Sequence, residues 1–563
     1  MAKKDYTNLT KDQLLEVIEK LEGKKKYGLV WDEERVPEKV VTDCQDKLPV
    51  LTEVKGKEIT TDENEPTHIL IEGDNYHALS VLNYTHKGKI DLIYIDPPYN
   101  TGNKDFIYND KYVEKEDTWR HSKWLTFMSK RLELAKELLT EKGVIFISID
   151  DNEIAQLKLL CDGVFGEGNF AGQWHWFKSA TPPNLSHKIK KNIEFVLAYE
   201  KQKNSSKFRG IKKISKSDDP ITKPQNSMKV LTFPPKSMNI KLPNKTVKPG
   251  IYGTEKYPNK LLNELQVENG TNKNEVSFEN RFVWTQGKLD EELASKTVIN
   301  CSKTLVISYK KQNYSEEVPP NLIDESVGVD TTEEAGKRLF EMFGEKVFDY
   351  PKPVSLIKYL LNFKPELKEK SLILDFFAGT GTTAQAVLEL NSEDNGNRKF
   401  IVCTNNENEI CEKVTLPRIN KVIKGYKISE ENEYEGLGNN LKYFKTSFVA
   451  NNRNKDQLKI DITKRCTEML CLKEGIFNLI KEEKDFKIFQ QGNRFLAVYY
   501  DFANASFDEL KEEMNALKGE KVLYCFTVDN HGLDKDNFRG WKNIRLEPIP
   551  QKILDVYKRI FKN

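Results

Sequence analysis

The stretch Ser371-Leu-Ile-Leu-Asp-Phe-Phe-Ala-Gly-Thr-Gly-Thr-Thr383 carries the clearest signal of the fold. Its apolar start predicts a strand over 371–375, followed by a glycine turn and a helix that begins at Thr382. Glycines let the backbone approach a ligand closely above the N-terminus of a helix. The stretch therefore predicts a strand–turn–helix unit that binds a cofactor.

The spacing Gly379-x-Gly381-x-x-Ala384 also matches the dinucleotide fingerprint, which alone is a weak signal. A dinucleotide site requires an acidic residue about twenty residues further on. Glu389 comes too early for this role, and Glu407 lies nearer thirty residues away. A dinucleotide-binding oxidoreductase stays open as one alternative.

Apolar runs alternate with helical patterns on both sides of this stretch. Strands are predicted at 68–71, 90–95, 144–149 and 399–403, and helices near 122–142, from about Asn152, and over 354–362. Because the strands are apolar on both faces, they indicate an α/β fold with a mostly parallel sheet that helices cover.

The pattern changes along the chain and divides it into five segments. A capping box at Thr10-Lys-Asp-Gln13 predicts a helix over 11–22 within an N-terminal helical arm. Between about 200 and 335 proline, asparagine, serine and lysine predominate, which predicts an inserted domain of short strands and long loops. A final segment has a β-β-α-β pattern of its own. The predicted segments are 1–50, 51–204, 205–335, 336–445 and 446–563.

A second motif, Asp96-Pro97-Pro98-Tyr99, directly follows the strand at 90–95. The two prolines fix φ and remove two N–H donors, so the turn is rigid and lies where parallel strands place ligands. Asp96 and the Pro97 carbonyl could accept both N–H bonds of an adenine amino group, while Tyr99 stacks on the ring. For the tetrapeptide alone, a plain Pro-Pro turn explains the sequence equally well.

Composition excludes several classes of protein. The chain has 563 residues, of which 31% are charged, and no apolar run approaches the ~20 residues of a bilayer span. The N-terminus lacks the apolar region of a signal peptide, so a cytoplasmic protein without a membrane partner is expected. The eight cysteines lack zinc-ligand spacing and are expected to be free, buried thiols, and no metal site is predicted.

The net charge of +2 hides an asymmetry. Between Lys178 and Lys260 the sequence has 18 lysines and one arginine against five acidic residues, a net charge of +14, so the rest of the chain sums to −12. Such a field of one sign favours a polyanionic partner, and nucleic acid is favoured over a solvated lysine-rich face.

Taken together, the two motifs resemble the signature pair of S-adenosylmethionine-dependent DNA amino-methyltransferases. The order of catalytic motif, basic region and cofactor motif is the permuted arrangement of the β group. The string Asp96-Pro-Pro-Tyr-Asn-Thr-Gly-Asn-Lys-Asp-Phe106 resembles the modification (Mod) subunit of type III restriction–modification systems. So do 27–31, 73–77, 350–354, 404–408 and 441–445, and the resemblance is weakest in about 205–335.

The resemblance implies a Rossmann-like methyltransferase in two halves, 51–204 with the catalytic motif and 336–445 with the cofactor loop. It implies that 205–335 is the target recognition domain and that 446–563 is a small C-terminal α/β domain. The implied catalytic residues are Asp96, Pro97, Pro98 and Tyr99. The implied S-adenosylmethionine contacts are Asp375, Phe376, Phe377, Ala378, Gly379, Thr380, Gly381, Thr382, Thr383, Lys352, Pro353 and, as the ribose-binding acid, Glu407. The DNA contacts expected from the resemblance and the charge are Lys178, Lys212, Lys213 and Lys216.

The reaction implied is methyl transfer to N6 of an adenine flipped out of duplex DNA. Cytosine-N4 methylation stays open because it shares the chemistry, although Asp at the first position of the motif favours adenine in the family. A catalytically silent DNA-reading subunit is a third alternative, which the intact Asp96 motif disfavours. The resemblance further implies a homodimer and a separate helicase–nuclease restriction subunit.

Overall fold

A computed structural model describes most of the chain. The residues described are 10–11, 13–15, 31, 37–62, 65–181, 188–203, 207–210, 218–254, 257–311, 318–428, 433–451, 454–500, 507–527, 533 and 535–561. Two compact units divide the chain, a larger one of Met1–Phe208 with Pro320–Asn563 and a smaller one of Arg209–Pro319.

Between residues 37 and 203, the described part of the larger unit contains eight strands and four helices. The strands are β1 Lys47–Glu53, β2 Thr67–Glu72, β3 Ile90–Ile95, β4 Ile107–Tyr108, β5 Lys111–Tyr112, β6 Leu139–Ile149, β7 Phe170–Phe177 and β8 Ile193–Glu200. The helices are α1 Lys39–Asp43, α2 Asn75–Thr85, α3 Arg120–Leu138 and α4 Ile154–Cys161, with short helical turns at Asp162–Gly166 and Glu167–Asn169.

The smaller unit is built from short strands. The strands are β9 Asp219–Pro220, β10 Lys229–Phe233, β11 Met238–Ile240, β12 Lys245–Val247, β13 Gly250–Thr254, β14 Tyr257–Leu261, β15 Leu265–Glu268, β16 Thr271–Asn272, β17 Val276–Asn280, β18 Val298–Cys301 and β19 Ile307–Lys310. They form a four-stranded and a seven-stranded sheet, joined by helix α5 Gln286–Ala294 and by a core of their own.

The second part of the larger unit completes the architecture. Its strands are β20 Leu322–Ile323, β21 Leu372–Asp375, β22 Lys399–Thr404, β23 Gly425–Lys427, β24 Glu433–Glu435, β25 Asn440–Ala450, β26 Asn478–Glu482, β27 Phe486–Gln491, β28 Arg494–Tyr499, β29 Glu520–Phe526 and β30 Ile544–Ile549. Its helices are α6 Thr332–Phe343, α7 Val354–Leu361, α8 Thr382–Asp394, α9 Leu416–Lys424, α10 Lys455–Arg465, α11 Thr467–Glu474, α12 Phe507–Ala516 and α13 Gln551–Phe561. Short helical turns occur at Glu325–Val327, Pro365–Lys368, Glu407–Glu409, Cys411–Thr415 and Lys535–Phe538.

A ten-stranded sheet in the order β1-β25-β2-β22-β21-β3-β6-β8-β7-β20 forms the centre of the larger unit. Six of its nine neighbouring pairs are parallel, which confirms the prediction of a mostly parallel sheet. Helices α2, α3 and α4 pack against one face, and α7, α8 and α9 against the other. Burial on both faces explains why these strands are apolar throughout.

The C-terminal part of the larger unit carries a second sheet, β26-β27-β28-β29-β30. Its first strands are antiparallel, and β28, β29 and β30 are parallel. The predicted division of the chain at 50/51, 204/205, 335/336 and 445/446 stays a prediction.

Several local predictions can be compared with the structure. The capping box is formed, because the Thr10 N–H donates to Gln13 Oε1 at 2.9 Å and the Gln13 N–H to Thr10 Oγ1 at 3.4 Å. Most of the helix predicted over 11–22 lies outside the described residues. All eight cysteines lie within the described part of the chain and are free and buried, as expected. In that same part, no helix has the length and apolarity required to cross a membrane.

Candidate active site

The two sequence motifs meet at one edge of the central sheet. Strands β3 and β21 are parallel neighbours, with Leu92 opposite Ile373 and Ile93 opposite Leu374. Each motif directly follows its strand, so Asp96 and Phe376 leave the sheet side by side. The carboxyl ends of parallel strands are the usual place for ligands in an open α/β sheet.

Strand direction brings two more side chains to this edge. Strand β8 runs antiparallel to β6, with Phe195 opposite Ile149, so β8 begins where β6 ends. Glu194 at the beginning of β8 therefore lies beside the Asp96 motif. Trp176 on β7 pairs with Glu194 and is almost fully buried.

A partly buried network of charges joins the Asp96 motif to the rest of the site. Lys352 Nζ donates to Asp96 Oδ2 at 2.8 Å and lies 3.3 Å from Glu194 Oε2. Lys178 Nζ donates to Glu194 Oε1 at 2.8 Å. The Tyr99 hydroxyl donates to Asp96 Oδ1 at 2.7 Å and lies 3.1 Å from Glu194 Oε2. The charges of two carboxylates and two ammonium groups thus cancel around the Tyr99 phenol.

The pKa directions follow from this arrangement. Burial would lower the pKa of Lys352, but the carboxylates of Asp96 and Glu194 raise it above its ordinary value. Burial would raise the pKa of Glu194, but Lys352 and Lys178 hold it below its ordinary value. Burial and the two carboxylates raise the pKa of Tyr99 well above its ordinary value, so the phenol keeps its proton.

A hydrogen bond from helix α3 fixes the turn that carries Asp96. Trp124 Nε1 on α3 donates to the Pro98 carbonyl at 2.7 Å, so this carbonyl is engaged and the turn is anchored to the helix. The next residue, Asn100, is fully buried with φ of 56°. Its Nδ2 donates to Glu153 Oε1 at 2.6 Å, and burial raises the pKa of Glu153 to about 8.

The glycine loop is held by its own carboxylate. Asp375 Oδ1 accepts from the Phe377 N–H at 2.9 Å, and Asp375 Oδ2 accepts from Thr383 Oγ1 at 2.5 Å. Burial raises the pKa of Asp375 to about 7, against the lowering effect of these two hydrogen bonds. Asn75 Nδ2 donates to the Phe376 carbonyl at 3.0 Å. Asp375 therefore braces the turn through both carboxyl oxygens.

The other side of the loop rests on the α9 region. Buried Arg418 donates from Nη1 to Thr380 Oγ1 at 2.8 Å and to Thr382 Oγ1 at 3.0 Å. Thr415 Oγ1 donates to the Gly379 carbonyl at 2.6 Å. Thr382 Oγ1 also lies 3.4 Å from the Lys352 carbonyl, which brings Lys352 and Pro353 against the loop. The loop thus contacts the segment that provides the cation of the charge network.

Gly379 leaves room above the loop, whereas a Cβ built on Gly381 would lie 3.1 Å from Thr415 Cγ2. Gly379 has φ of 49°, and a Cβ built on it meets only the Phe377 carbonyl oxygen, at 4.0 Å. Gly381 has φ of 83° and is the N-cap of α8, so no side chain caps the first amides of this helix. An open backbone surface beside a helix N-terminus suits a ligand with polar and charged groups. The residues present therefore fit the cofactor that the sequence implies.

The remaining predicted residues have different positions. Glu407 is exposed in a helical turn that follows β22 by two residues, with Asn405 Nδ2 and Tyr112 Oη each 3.5 Å from its carboxylate. It stands at the correct edge of the sheet for the predicted ribose contact, which stays a prediction. Lys178 belongs to the charge network described above. Three further lysines lie outside the described residues: Lys212, Lys213 and Lys216.

Sequence reasoning did not identify Glu194, Trp176 or Arg418 as site residues. Glu194 is an acidic residue at the start of an otherwise apolar strand, a signal that was available in the sequence. Trp176 and Arg418 carry no local signal, because only the packing of distant segments brings them to the site.

Comparison with known proteins identifies relatives of this chain. A protein-family model described as DNA methylase matches residues 90–416. The type III restriction-modification enzyme EcoPI Mod subunit of Escherichia phage P1 is 32% identical over 443 residues, which cover 70% of this chain and 66% of that subunit. The StyLTI Mod subunit of Salmonella typhimurium is 32% identical over 384 residues, covering 61% of this chain and 53% of that subunit. The chain thus spans about half to two thirds of the length of these relatives.

A shorter relative is covered more fully. The type II methyltransferase M.KpnI of Klebsiella pneumoniae is 34% identical over 349 residues, which cover 59% of this chain and 79% of that enzyme. Among solved structures, the cytosine-N4-specific PvuII DNA methyltransferase aligns with a TM-score of 0.32 at 11% identity, covering 65% of this chain and 94% of that one.

Proposed function

The chain belongs to the DNA methylase family, and we propose that it transfers a methyl group from S-adenosylmethionine to N6 of an adenine in duplex DNA, as the modification subunit of a type III restriction–modification system. The observation that carries this proposal is the placement of Asp96 and the glycine loop at the ends of two adjacent parallel strands. An acceptor for an amino group and a cofactor loop are thereby held next to each other.

The cofactor supplies, when bound, a methyl group on a sulfonium centre. The residues proposed to hold it are the loop 375–383, Lys352 with Pro353, and Glu407. Asp375, Thr415 and Arg418 hold the loop in its observed conformation through the hydrogen bonds described above. Most of the catalytic effect then comes from positioning, since two bound reactants meet in a fixed geometry.

The chain acts on the base through its rigid Asp-Pro-Pro-Tyr turn. Asp96 and the Pro97 carbonyl would accept the two N–H bonds of the amino group, which localises the lone pair of that nitrogen. The Pro98 carbonyl is already engaged by Trp124. Tyr99 would stack on the flipped base, because the Tyr99 ring lies within the same turn. The attacking nitrogen carries a positive charge directly after methyl transfer and is then acidic, so its extra proton can leave to water without a strong base.

Sequence reading is assigned to the smaller unit Arg209–Pro319 and its flanks, with lysines contacting the DNA backbone. A homodimer and a partner restriction subunit belong to the same proposal, since they follow from the resemblance to Mod subunits.

The test combines methylation mapping with one substitution. DNA exposed to the protein and labelled S-adenosylmethionine should carry N6-methyladenine at one sequence, which single-molecule sequencing locates. Asp96→Ala should abolish transfer while cofactor affinity survives, since a lost charged acceptor raises the barrier by several kcal/mol, on the order of 3–4. N4-methylcytosine at the mapped site would replace the adenine proposal, and transfer by Asp96→Ala at the normal rate would remove Asp96 from the mechanism.

A further inference from the structure

Lys352 occupies a place that the proposed reaction requires for the base. Its ammonium donates to Asp96 Oδ2 at 2.8 Å, the carboxylate assigned to the amino group of the adenine. The same ammonium lies 5.1 Å from the centroid of the Tyr99 ring and 5.8 Å from that of Trp176. The Lys352 ammonium therefore lies beside both aromatic rings and is at the same time hydrogen-bonded to the Asp96 carboxylate.

Lys352 cannot simply leave Asp96 without a new partner. The Lys352 side chain is only 10% exposed, and an ammonium group that is buried without a partner is costly. Glu194 is the second carboxylate within reach, at 3.3 Å, and its side chain is only 9% exposed. The longer distance to Glu194 than to Asp96 indicates that Lys352 favours Asp96 in this state.

Glu194 is kept ready for this role by its other contacts. Lys178 binds Glu194 Oε1, which leaves Oε2 facing Lys352 and the Tyr99 hydroxyl. Lys352 and Lys178 keep the carboxyl ionised against the effect of burial. The carboxylate can thus strengthen its hold on Lys352 by a small movement of one ammonium group.

We propose that Glu194 is a positioning residue that takes over Lys352 when the target base binds Asp96. Lys352 acts as a placeholder on Asp96 in the absence of DNA, and Glu194 receives it when the amino group arrives. This inference rests on the proposed function, because it assumes that Asp96 accepts the amino group of a flipped base. No covalent bond changes in this exchange.

The experiment measures base capture directly. A duplex with the fluorescent adenine analogue 2-aminopurine next to the mapped adenine, which keeps its own amino group, reports flipping of that adenine in the presence of the cofactor analogue sinefungin. Glu194→Gln should reduce the fluorescence increase and the single-turnover methylation rate at least tenfold, with unchanged S-adenosylmethionine affinity. Glu194→Asp, which keeps the charge, should restore most of both signals.

Glu53→Gln is the matched control. Glu53 also binds a lysine, Lys442, at 2.6 Å, both side chains are 18% exposed, and it lies on β1, seven places from β8 in the same sheet. This variant should flip and methylate DNA as the unsubstituted protein does. Equal losses in both variants would mean that Glu194 has only a structural role and would overturn the proposal.

Glu194→Asp provides a test that does not require Glu194→Gln to fold, because it keeps the carboxylate. A tenfold loss of base capture in folded Glu194→Asp would overturn the exchange. If the proposed function itself is wrong, the result is different: the unsubstituted protein will methylate no adenine.

Discussion

Gly379→Ala separates a cofactor-binding loop from a merely structural turn. Gly379 has φ of 49°, and a Cβ at this position meets nothing closer than the Phe377 carbonyl oxygen at 4.0 Å. Gly344 at the end of α6 offers a matched control, with φ of 77° and no atom within 4 Å of a built Cβ. In both variants the cost to the fold is the left-handed backbone of alanine alone, about 1–2 kcal/mol. The free energy of unfolding should therefore fall by a similar amount in both.

Cofactor affinity should distinguish the two variants. The methyl group added at Gly379 has no protein atom closer than 4.0 Å, so it projects into the space above the loop, where the cofactor is proposed to lie. A loss of about 1.4 kcal/mol of binding energy raises Kd tenfold. We expect at least this loss for Gly379→Ala and less than a twofold change for Gly344→Ala.

The assay pairs calorimetric titration with S-adenosylmethionine and urea unfolding of the same samples. The unfolding curves show that both variants are folded and equally strained. Unchanged affinity in folded Gly379→Ala would refute the reasoning, since the loop would then be a turn without a ligand. Weaker binding in both variants would refute it as well, because the effect would then follow from lost stability.

Three further predictions address stability, affinity and specificity. Burial raises the pKa of Asp375 to about 7 from an ordinary 3.8, so the free energy of unfolding should fall as pH rises through this window. Asp375→Asn should remove this dependence, and parallel curves for variant and unsubstituted protein between pH 4 and 7 would contradict it. Neutralising Lys212, Lys213 and Lys216 should weaken binding to DNA of any sequence. The slope of log K against log salt concentration should become flatter by about three units. An unchanged slope in a filter-binding assay would show that these lysines do not contact phosphates. Exchange of Arg209–Pro319 for the corresponding unit of a relative should move methylation to the relative's sequence, and persistence of the original site in the methylome would locate recognition elsewhere.

The parallel core could be predicted from the sequence because its strands are buried on both faces. The run 90–95 coincides with β3, and the helix predicted from Thr382 begins there as α8. Such strands need no alternation of polar and apolar residues, so composition alone marks them. The prediction of a helix to about 142 was wrong, since α3 ends at Leu138 and β6 begins at Leu139. Leu139 pairs with Ile90 on β3, and this tertiary contact outweighs the local helical pattern.

The charge network could not be predicted from the sequence, because it joins residues that are far apart in the chain. Asp96 and Lys352 are 256 residues apart, and Tyr99 and Glu194 are 95 residues apart. Sequence identified Asp96, Tyr99 and Lys352 because they belong to motifs. It gave no indication that one cation would be shared between two carboxylates, because that depends on β8 starting where β3 ends.

The order of segments explains how specificity can vary while the chemistry is kept. Strand β21 with the cofactor loop follows the smaller unit in the chain, yet it pairs directly with β3, which precedes that unit. The smaller unit has sheets and a core of its own, and none of its described residues contributes a strand to the central sheet. Changes in the smaller unit therefore leave the register of β3 and β21 intact, and with it the spacing of Asp96 and the glycine loop. In a chain with this arrangement, the proposed DNA-reading surface can diverge under selection for new sites without any loss in the positioning on which the proposed methyl transfer depends.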